Sequence, residues 1–351
     1  MNPGLSAIVV NYRTAELAAA CVRSLREAFA RESIAGEIVL VDCASGGGEV
    51  ARLERAGADS IVALPDNRGY SGGANAGLAR ARGARIVLSN ADVEFRPGAL
   101  TALSSALADQ SVGAAAPLAE WDAEGRVLLP AESAPGFLRD LGQLTAGRWP
   151  RRDDARFARF ARRTLSLWDR GGDAEHVVGV VLAVRREVFD RVGRFDERFP
   201  FEYEETEWEE RVKTAGLRLS FVSRARVRHL WARSAASDPV ETAVRRSVSA
   251  RAYRGLRYGV LGRALLERAQ GAARPPSARA IGEPRVAARP GAALALSPNP
   301  SLVPFAGTRL DRDFQLPEEI RSGLSPGPLY LRVFDPESGQ PIETFVWEKT
   351  A

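Results

Sequence analysis

The amino-acid sequence predicts an α/β protein whose mostly parallel sheet is covered by helices on both faces. Short apolar runs rich in β-branched residues alternate with segments of helical periodicity along the first third of the chain. A hydrophobic content of 45% is sufficient for a sizeable core. Several of the predicted strands end in polar residues, at Asn11, Asp42 and Asp92. Ligands bind beyond the carboxyl ends of the strands in such sheets, so these three positions are the first candidates for a site.

Each element of the first third follows from a local pattern. The run SAIVV is apolar, β-branched and followed by a polar turn, which is typical of a buried strand. Leu17, Cys21 and Leu25 recur at helical spacing, and Pro97 suits the first turn of a helix. The predicted strands are Ser6–Val10, Glu37–Val41, Ser60–Leu64 and Arg85–Leu88. The predicted helices are Glu16–Ala30, Val50–Ala56, Ser71–Arg82 and Pro97–Ala108.

The pattern changes beyond the basic and aromatic stretch 139–170. Further strands are predicted at His176–Val184, Leu219–Val222 and Ala225–His229, and further helices at Glu187–Val192, Phe201–Ala215 and Val240–Ala269. Gly271–Pro290 is rich in Ala, Pro and Gly and indicates a linker. Leu294–Trp347 has short strand-like runs between turns, which favours a small β domain. The predicted division is therefore an α/β domain at 1–235, an Arg-rich helical extension at 236–270, a linker at 271–293 and a small β-rich accessory domain at 294–351.

Charge and cysteine content restrict the class of protein. The net charge is +5, and of the 49 basic residues all are arginine except Lys213 and Lys349. This charge fits phosphate-bearing substrates or an anionic membrane surface, and no helix-turn-helix, zinc-finger or RNA-recognition pattern accompanies it, so no nucleic-acid partner is expected. Cys21 and Cys43 form no disulfide framework or metal motif. We expect a cytoplasmic protein, since the N-terminal residues do not resemble a signal peptide and no apolar run reaches a membrane-spanning length.

Three strand-end or loop segments are candidates for ligand binding, and each has an ordinary structural alternative. Asp42 can accept a hydrogen bond from a ligand, although Asp is also common in turns. The loop Asp66–Gly77 lets a ligand approach the backbone closely, although it can equally be a tight turn before a helix. The carboxylate of Asp92 in Asn90-Ala91-Asp92 suits a hard cation, Mg²⁺ or Mn²⁺, although it can also cap a helix.

Two further segments carry titratable groups. The segment Phe199–Arg211 contains glutamates at 202, 204, 205, 207, 209 and 210. Mutual repulsion raises the pKa of clustered carboxylates, which suits a general base, whereas acidic residues also favour a helix N-terminus for electrostatic reasons. His229 is one of two histidines and is a candidate metal ligand, although a histidine in this position is more often structural.

Taken in order, these segments resemble the family 2 glycosyltransferases of the GT-A fold, especially the bacterial rhamnosyltransferase-like branch. The resemblance runs from Ser6 to Ser234 and rests on five segments. They are SAIVVNYRTAELAAACVRSL, IVLVDCAS, DNRGYSGGANAGLARARGARIVLSNAD, VVGVVLAVRREVFDRVGRFDERFPFEYEETEW and RVRHLWARS. The resemblance implies a Rossmann-like GT-A catalytic domain that moves a sugar from a nucleotide-sugar donor to a glycan or lipid-linked acceptor, with inversion, in cell-surface polysaccharide synthesis.

The resemblance also implies a role for individual residues. Glu204-Glu205 replaces the family's Glu-Asp pair, which makes Glu205 the general base. The metal site, for Mn²⁺ or Mg²⁺, would contain Asp92 and His229. The donor would be bound by Val10, Tyr12, Asp42, Asn67, Asn75, Asn90 and Asp92.

The sequence departs from the family pattern at three places. Ser45–Gly48 lacks a second acidic residue, the usual Asn-Pro-Asp is Asn90-Ala91-Asp92, and the catalytic Asp is Glu205. A non-catalytic carbohydrate-binding or scaffold relative with the same fold is therefore an alternative. A nucleotidyltransferase is a second alternative, but the Gly-rich N-terminal loop followed by Arg and Lys that is usual in that class is absent from SAIVVNYRT.

A peripheral membrane contact is predicted at Asp154–Trp168. Phe157, Phe160 and Trp168 fall on one face at helical spacing, and arginines lie largely elsewhere. Such a helix would place the protein at the inner face of the plasma membrane, near a lipid-linked acceptor. The alternative is a helix that packs on the core and exposes its arginines to solvent.

Overall fold

The computed structural model describes residues 3–132, 136–230 and 238–350. The chain forms two compact units. The first contains Met1–Ala119 and Gly171–Arg257, and the second contains Glu120–Arg170 and Tyr258–Ala351. The predicted boundary at residue 235 and the end of the RVRHLWARS segment lie outside the described residues, so the four-part domain division stays a prediction.

The first unit is built on a nine-stranded mixed sheet, as counted in the described residues. Its strands follow the order β3-β2-β1-β4-β8-β6-β9-β5, with β7 paired to β9. The strands β3, β2, β1 and β4 are parallel, and β8 is antiparallel to β4. The strands are β1 Leu5–Asn11, β2 Gly36–Asp42, β3 Ser60–Ala63, β4 Arg85–Asn90, β5 Val93–Phe95, β6 Val112–Glu120, β7 Gly172–Ala174, β8 Val181–Arg185 and β9 Arg218–His229.

Helices pack against the parallel strands, of which β1, β2 and β4 are buried on both faces while the edge strand β3 is partly exposed. Ile8, Val39 and Ile86 are fully buried in the core. The helices of the described chain are α1 Ala15–Arg31, α2 Glu49–Leu53, α3 Gly69–Arg80, α4 Ala99–Ala106, α5 Phe137–Leu144, α6 Pro150–Arg170, α7 Arg186–Val192, α8 Glu204–Thr214, α9 Pro239–Ala269 and α10 Glu318–Gly323. The predicted α/β class with a largely parallel sheet is confirmed.

The structure differs from the sequence predictions at several elements. The two predicted closing strands form one strand, β9, which continues through Ser223 and Arg224. Strand β6 was not predicted, because its sequence VGAAAPLAE has one β-branched residue and no alternation. The predicted strand His176–Val184 is shorter at its start, since β8 begins at Val181. The segment interpreted as a linker contains two short strands that pair with distant strands.

The second unit contains a five-stranded sheet in the order β10-β16-β15-β12-β13 and a separate pair, β11-β14. These strands are β10 Arg279–Ala280, β11 Arg285–Val286, β12 Ala293–Ser297, β13 Ala306–Arg309, β14 Phe314–Gln315, β15 Gly327–Phe334 and β16 Pro341–Lys349. Helix α6 packs against this part of the unit. The ring of Phe157 lies 5.5 Å from that of Phe305 and 5.3 Å from that of Phe334.

The face of Asp154–Trp168 that was predicted to meet a membrane is buried inside the second unit. Phe157 is 0% exposed, Phe160 8% and Trp168 7%, and the Trp168 indole donates a hydrogen bond to the Leu129 carbonyl. The core-packing alternative therefore applies to this helix, because the apolar stripe is already covered by aromatic side chains of the same unit. No helix in the described part of the chain combines the length and apolarity that a bilayer crossing requires.

Candidate active site

The carboxyl ends of β1 and β2 carry a buried polar network. Asn11 pairs in register with Asp42, and its side-chain amide donates to the Asp42 carboxylate at 2.9 Å. The Ser45 backbone amide and hydroxyl also donate to that carboxylate, which is 1% exposed. Asp42 thus lies at the strand end where it was predicted, and Ser45 helps to hold its orientation.

The other residues predicted to bind the donor have diverse surroundings. Val10 is buried at the end of β1, and the half-buried Tyr12 follows with the Arg13 guanidinium 4.9 Å from its ring centre. The Asn67 side chain accepts a hydrogen bond from the Gly69 amide at 2.9 Å, within its own loop. The Asn75 side chain donates a hydrogen bond to the Phe195 carbonyl and accepts one from the Phe195 amide. Asn67 and Asn75 therefore shape the loop and anchor α3.

Asp92 and His229 meet in space, although 137 positions separate them in the sequence. Strand β5 pairs with β9 so that Val93 lies opposite His229, and the Leu230 amide donates to the Asp92 carbonyl at 3.0 Å. His229 Nε2 lies 3.2 Å from Asp92 Oδ1, and both side chains are almost completely buried. The two residues that the sequence analysis assigned to a metal are thus brought together by an antiparallel strand pair.

The 3.2 Å between His229 Nε2 and Asp92 Oδ1 is the distance of a direct contact between the two side chains. A carboxylate oxygen and an imidazole nitrogen are also atoms that could hold Mg²⁺ or Mn²⁺. No cluster of three or more His, Cys, Asp and Glu suited to a metal occurs among the described residues. An ion here would therefore take its remaining ligands from a diphosphate and water, as Mg²⁺ and Mn²⁺ commonly do.

The glutamates of α8 separate into two groups. Glu207 lies 2.8 Å from Arg211, and Glu210 lies 3.4 Å from Lys213, so these two form ion pairs one helical turn along the helix. Glu204, Glu205 and Glu209 instead lie in surroundings that raise the pKa of each. The outer glutamates correspond to the ordinary acidic-helix interpretation, and the inner ones are candidates for chemistry.

Glu204 and Glu205 are carboxylates without a full set of partners. Glu204 Oε2 and Glu205 Oε2 are both buried, and neither has a hydrogen-bond partner in the described structure. Burial, and then the charge of Glu205, raises the pKa of Glu204 well above its usual range. Burial also raises the pKa of Glu205, while the nearby His176 opposes the shift. A carboxylate with a raised pKa is suited to accept a proton near neutral pH.

His176 and Tyr70 are parts of this site that the sequence analysis missed. His176 Nδ1 is hydrogen-bonded to Glu209 Oε2, and the Glu209 charge raises the pKa of the histidine despite the opposing effect of burial. The pKa of Tyr70 is raised by burial and then by the charges of Glu204 and Glu205. His176 could have been noticed as the other of the chain's two histidines. Its partner Glu209 is 33 positions away, however, and nothing in the local sequence indicates the pairing.

Glu205 and the segment that leads to Asp92 approach each other through the chain before β8. A Cβ atom placed on Gly179 would lie 3.1 Å from the Glu205 side chain, so the glycine allows Glu205 to pack against the backbone. The adjacent Val180 carbonyl accepts a hydrogen bond from the Asn90 amide at 3.1 Å. Glu205 therefore contacts the segment that is bonded to the end of β4, two residues before Asp92.

Replacing Glu204 by glutamine is expected to stabilise the protein at neutral pH and to flatten the pH dependence of its melting temperature. The folded state raises the pKa of Glu204 above 4.5, so it binds the proton more tightly than the unfolded chain does. Stability is therefore lost as pH rises from 4.5 through the raised value, by up to about 1.4 kcal/mol per pH unit for one group. Glutamine is neutral throughout. The test is the melting temperature of wild type and Glu204→Gln at a series of pH values across this range, with Glu210→Gln, on the solvent side of α8, as the control. If the melting temperatures of wild type and Glu204→Gln changed equally with pH, the prediction would be contradicted.

Residues 3–255 match the family described as "Glycosyltransferase like family 2". The chain belongs to this family. Over 156 residues it is 32% identical to the N-acetylglucosaminyl-diphospho-decaprenol L-rhamnosyltransferase of Mycobacterium tuberculosis strain ATCC 25618 / H37Rv, covering 44% of this chain and 49% of the relative. The protein of that name from strain CDC 1551 / Oshkosh matches to the same extent. The chain thus spans about half the length of the curated relatives it matches.

Two solved structures are similar to this family 2 member. One is the mannosyltransferase PcManGT from Pyrobaculum calidifontis in complex with GDP-Man and Mn²⁺, with a TM-score of 0.47, 18% identity and coverage of 77% of this chain and 74% of that chain. The other is S. aureus TarS 1-349 in complex with UDP, with a TM-score of 0.45, 14% identity and coverage of 73% and 72%. The family match and the observed sheet confirm a GT-A-like α/β fold with additional C-terminal strands.

Proposed function

We propose that this family 2 member is an inverting glycosyltransferase that moves a sugar from a nucleoside-diphosphate donor to a hydroxyl of a lipid-linked glycan. The observation that carries the proposal is Glu205, a proton acceptor with a raised pKa that packs on the segment bonded to the end of β4. A base next to a diphosphate-binding strand end is what a single displacement at an anomeric carbon requires.

In the proposed reaction, Glu205 takes the proton from the acceptor hydroxyl, and the oxygen of that hydroxyl forms a bond to the anomeric carbon. The bond from that carbon to the donor phosphate oxygen breaks on the opposite side, and the nucleoside diphosphate leaves. His176, which is hydrogen-bonded to Glu209, limits the rise of the Glu205 pKa when it carries a positive charge. A divalent cation held by Asp92 and His229 would neutralise charge on the leaving diphosphate.

The nature of the acceptor rests on the curated relatives. The M. tuberculosis proteins are named as rhamnosyltransferases acting on N-acetylglucosaminyl-diphospho-decaprenol. We infer an acceptor of the same class, a sugar diphosphate on a polyprenol, and a deoxyhexose donor. We therefore propose that the reaction belongs to cell-wall or surface-polysaccharide synthesis at the inner face of the plasma membrane.

A thermal-shift screen of nucleotide sugars, with Mn²⁺ or Mg²⁺ present, tests the proposed donor class. A donor at about a hundred times its dissociation constant stabilises the native state by about 2.7 kcal/mol, which raises the melting temperature measurably. We expect a shift that needs both the nucleotide sugar and the cation. Binding without slow hydrolysis or transfer of the donor would favour the non-catalytic alternative, and no shift with any nucleotide sugar would contradict the proposal.

A further inference from the structure

The second unit exposes large apolar side chains on two neighbouring helices. These residues lie at the start of α5, between α5 and α6, and on the second half of α9. Each is more than half exposed: Leu138 (78%), Trp149 (51%), Val260 (72%), Leu261 (81%) and Leu265 (56%). We call these five residues the α5–α9 surface. A cluster of exposed large apolar residues marks an interaction site more often than a solvated face.

Contacts along both helices show that the five residues share one region of the unit. The Phe137 ring packs edge-on against the Tyr258 ring at 5.7 Å, which places the start of α5 beside the residue that directly precedes the break in α9 at Gly259. At the other end, the Arg148 guanidinium donates to the Ala272 carbonyl at 3.0 Å. The segment from α5 to Trp149 therefore contacts α9 near Tyr258 and the chain just beyond the end of α9.

The second half of α9, which follows Gly259, exposes apolar side chains on its outer side, where a solvated helix usually carries polar ones. Leu266 is fully buried and anchors the inner side. Leu261, Leu265 and Arg268 follow one another at i, i+4 and i+7, so two leucines and an arginine share an outer stripe. Gly259, with φ 67°, breaks the helical conformation just before this segment and separates it from the first half.

The charges around this surface are predominantly positive. Exposed arginines lie beside Trp149 and at the end of α9, namely Arg148, Arg151, Arg152, Arg268 and Arg274. Glu267, the acidic residue on this part of α9, is 3.5 Å from Arg263 and is therefore largely compensated. Aliphatic residues, a tryptophan and arginines on one side of a helix are the composition of a segment that lies in a membrane interface.

We propose that the α5–α9 surface binds the surface of an anionic phospholipid bilayer. Leu261, Leu265 and Trp149 enter the boundary between headgroups and acyl chains, and the neighbouring arginines contact lipid phosphates. The inference deepens the proposed function and rests on it in one respect, since a polyprenol-linked acceptor is held in such a bilayer. It also moves the membrane contact from Asp154–Trp168, whose apolar face is buried, to a part of the same unit that is exposed.

Co-sedimentation of the full chain with vesicles tests the proposal. We expect binding to vesicles of phosphatidylglycerol and phosphatidylcholine, weak binding to phosphatidylcholine alone, and weaker binding as salt is added. The double variant Leu261→Glu/Leu265→Glu should bind at least about a hundredfold more weakly, because each leucine contributes about tenfold or more when buried. Arg268→Glu should weaken binding about fivefold or more by removing one cation and adding an anion. Ile342→Glu, which changes a 49% exposed residue on β16 of the same unit, is the matched control and should bind like wild type.

Three outcomes overturn the proposal. The first is no binding of the wild type to phosphatidylglycerol vesicles at low salt. The second is equal loss in Ile342→Glu and the double leucine variant. The third is a wild type that is dimeric by light scattering and becomes monomeric in the leucine variant without any vesicle binding, which assigns the surface to a second copy of the chain. The nucleotide-sugar melting shift, measured on the same samples, separates the two hypotheses: a shift without vesicle binding overturns only the membrane surface, and vesicle binding without a shift overturns only the proposed enzyme.

Discussion

Glu205→Gln is expected to reduce sugar transfer by about 10²- to 10⁴-fold, the usual contribution of a general base, while leaving donor binding intact. Glutamine keeps the size of the side chain and its contact with Gly179 but cannot take up the acceptor proton. The measurements are the turnover rate and the melting shift with nucleotide sugar. Glu210→Gln, the same change on the solvent side of α8, should keep wild-type turnover because Glu210 is paired with Lys213.

The pH dependence of turnover provides a second measurement of the same role. Glu205 acts as a base when it is deprotonated, so the rate should rise as pH rises through its pKa. Since burial raises that pKa, the acidic limb of the profile should lie above the range of an ordinary glutamate. Substantial residual turnover in Glu205→Gln, with the same acidic limb, would move the role to Glu204, the neighbouring buried carboxylate.

Asp92→Asn is expected to weaken nucleotide-dependent Mn²⁺ binding by about a hundredfold or more. Mutation of a residue that only hydrogen-bonds a metal ligand already lowers metal affinity by about 10- to 100-fold, and Asp92 would be a ligand itself. The carboxylate is the hard, charged ligand of the Asp92–His229 pair, and an amide oxygen is a weaker one. Imidazole coordinates Mn²⁺ more readily than Mg²⁺, so Mn²⁺ should bind more tightly than Mg²⁺. Binding in the absence of nucleotide should be weak, because the protein supplies too few ligands by itself.

Titration of Mn²⁺ with and without nucleoside diphosphate measures this effect. Glu94→Gln is the matched control, because Glu94 lies two residues away on β5 and pairs with Arg228 at 3.1 Å. The control should bind Mn²⁺ like wild type. Nucleotide-dependent binding that survives Asp92→Asn unchanged would remove Asp92 from the site, and with it much of the argument for metal-assisted departure of the diphosphate.

The sequence by itself determined the class of fold and the approximate ends of the four parallel strands, β1 to β4. Buried parallel strands need continuous apolar runs, and the runs that end at Asn11 and Asp42 are of this kind, so periodicity and composition were enough to find them. The resemblance to family 2 then indicated Asp92, His229 and Glu205 from short motifs. Strand β6 was not predicted, because its small residues are buried in the sheet but form no local pattern that is typical of a strand.

Tertiary structure alone decided which of these residues meet and which surface remains open. The pairing of β5 with β9 brings His229 to Asp92, and packing of α8 turns Glu205 and Glu209 towards His176 while Glu207 and Glu210 form outer ion pairs. Likewise, α6 and the end of α9 both carry apolar residues among arginines, yet α6 is covered by Phe305 and Phe334 whereas the end of α9 is exposed. Periodicity shows that a helix has an apolar face, but what covers that face depends on contacts between residues far apart in the chain, and a local pattern does not encode them.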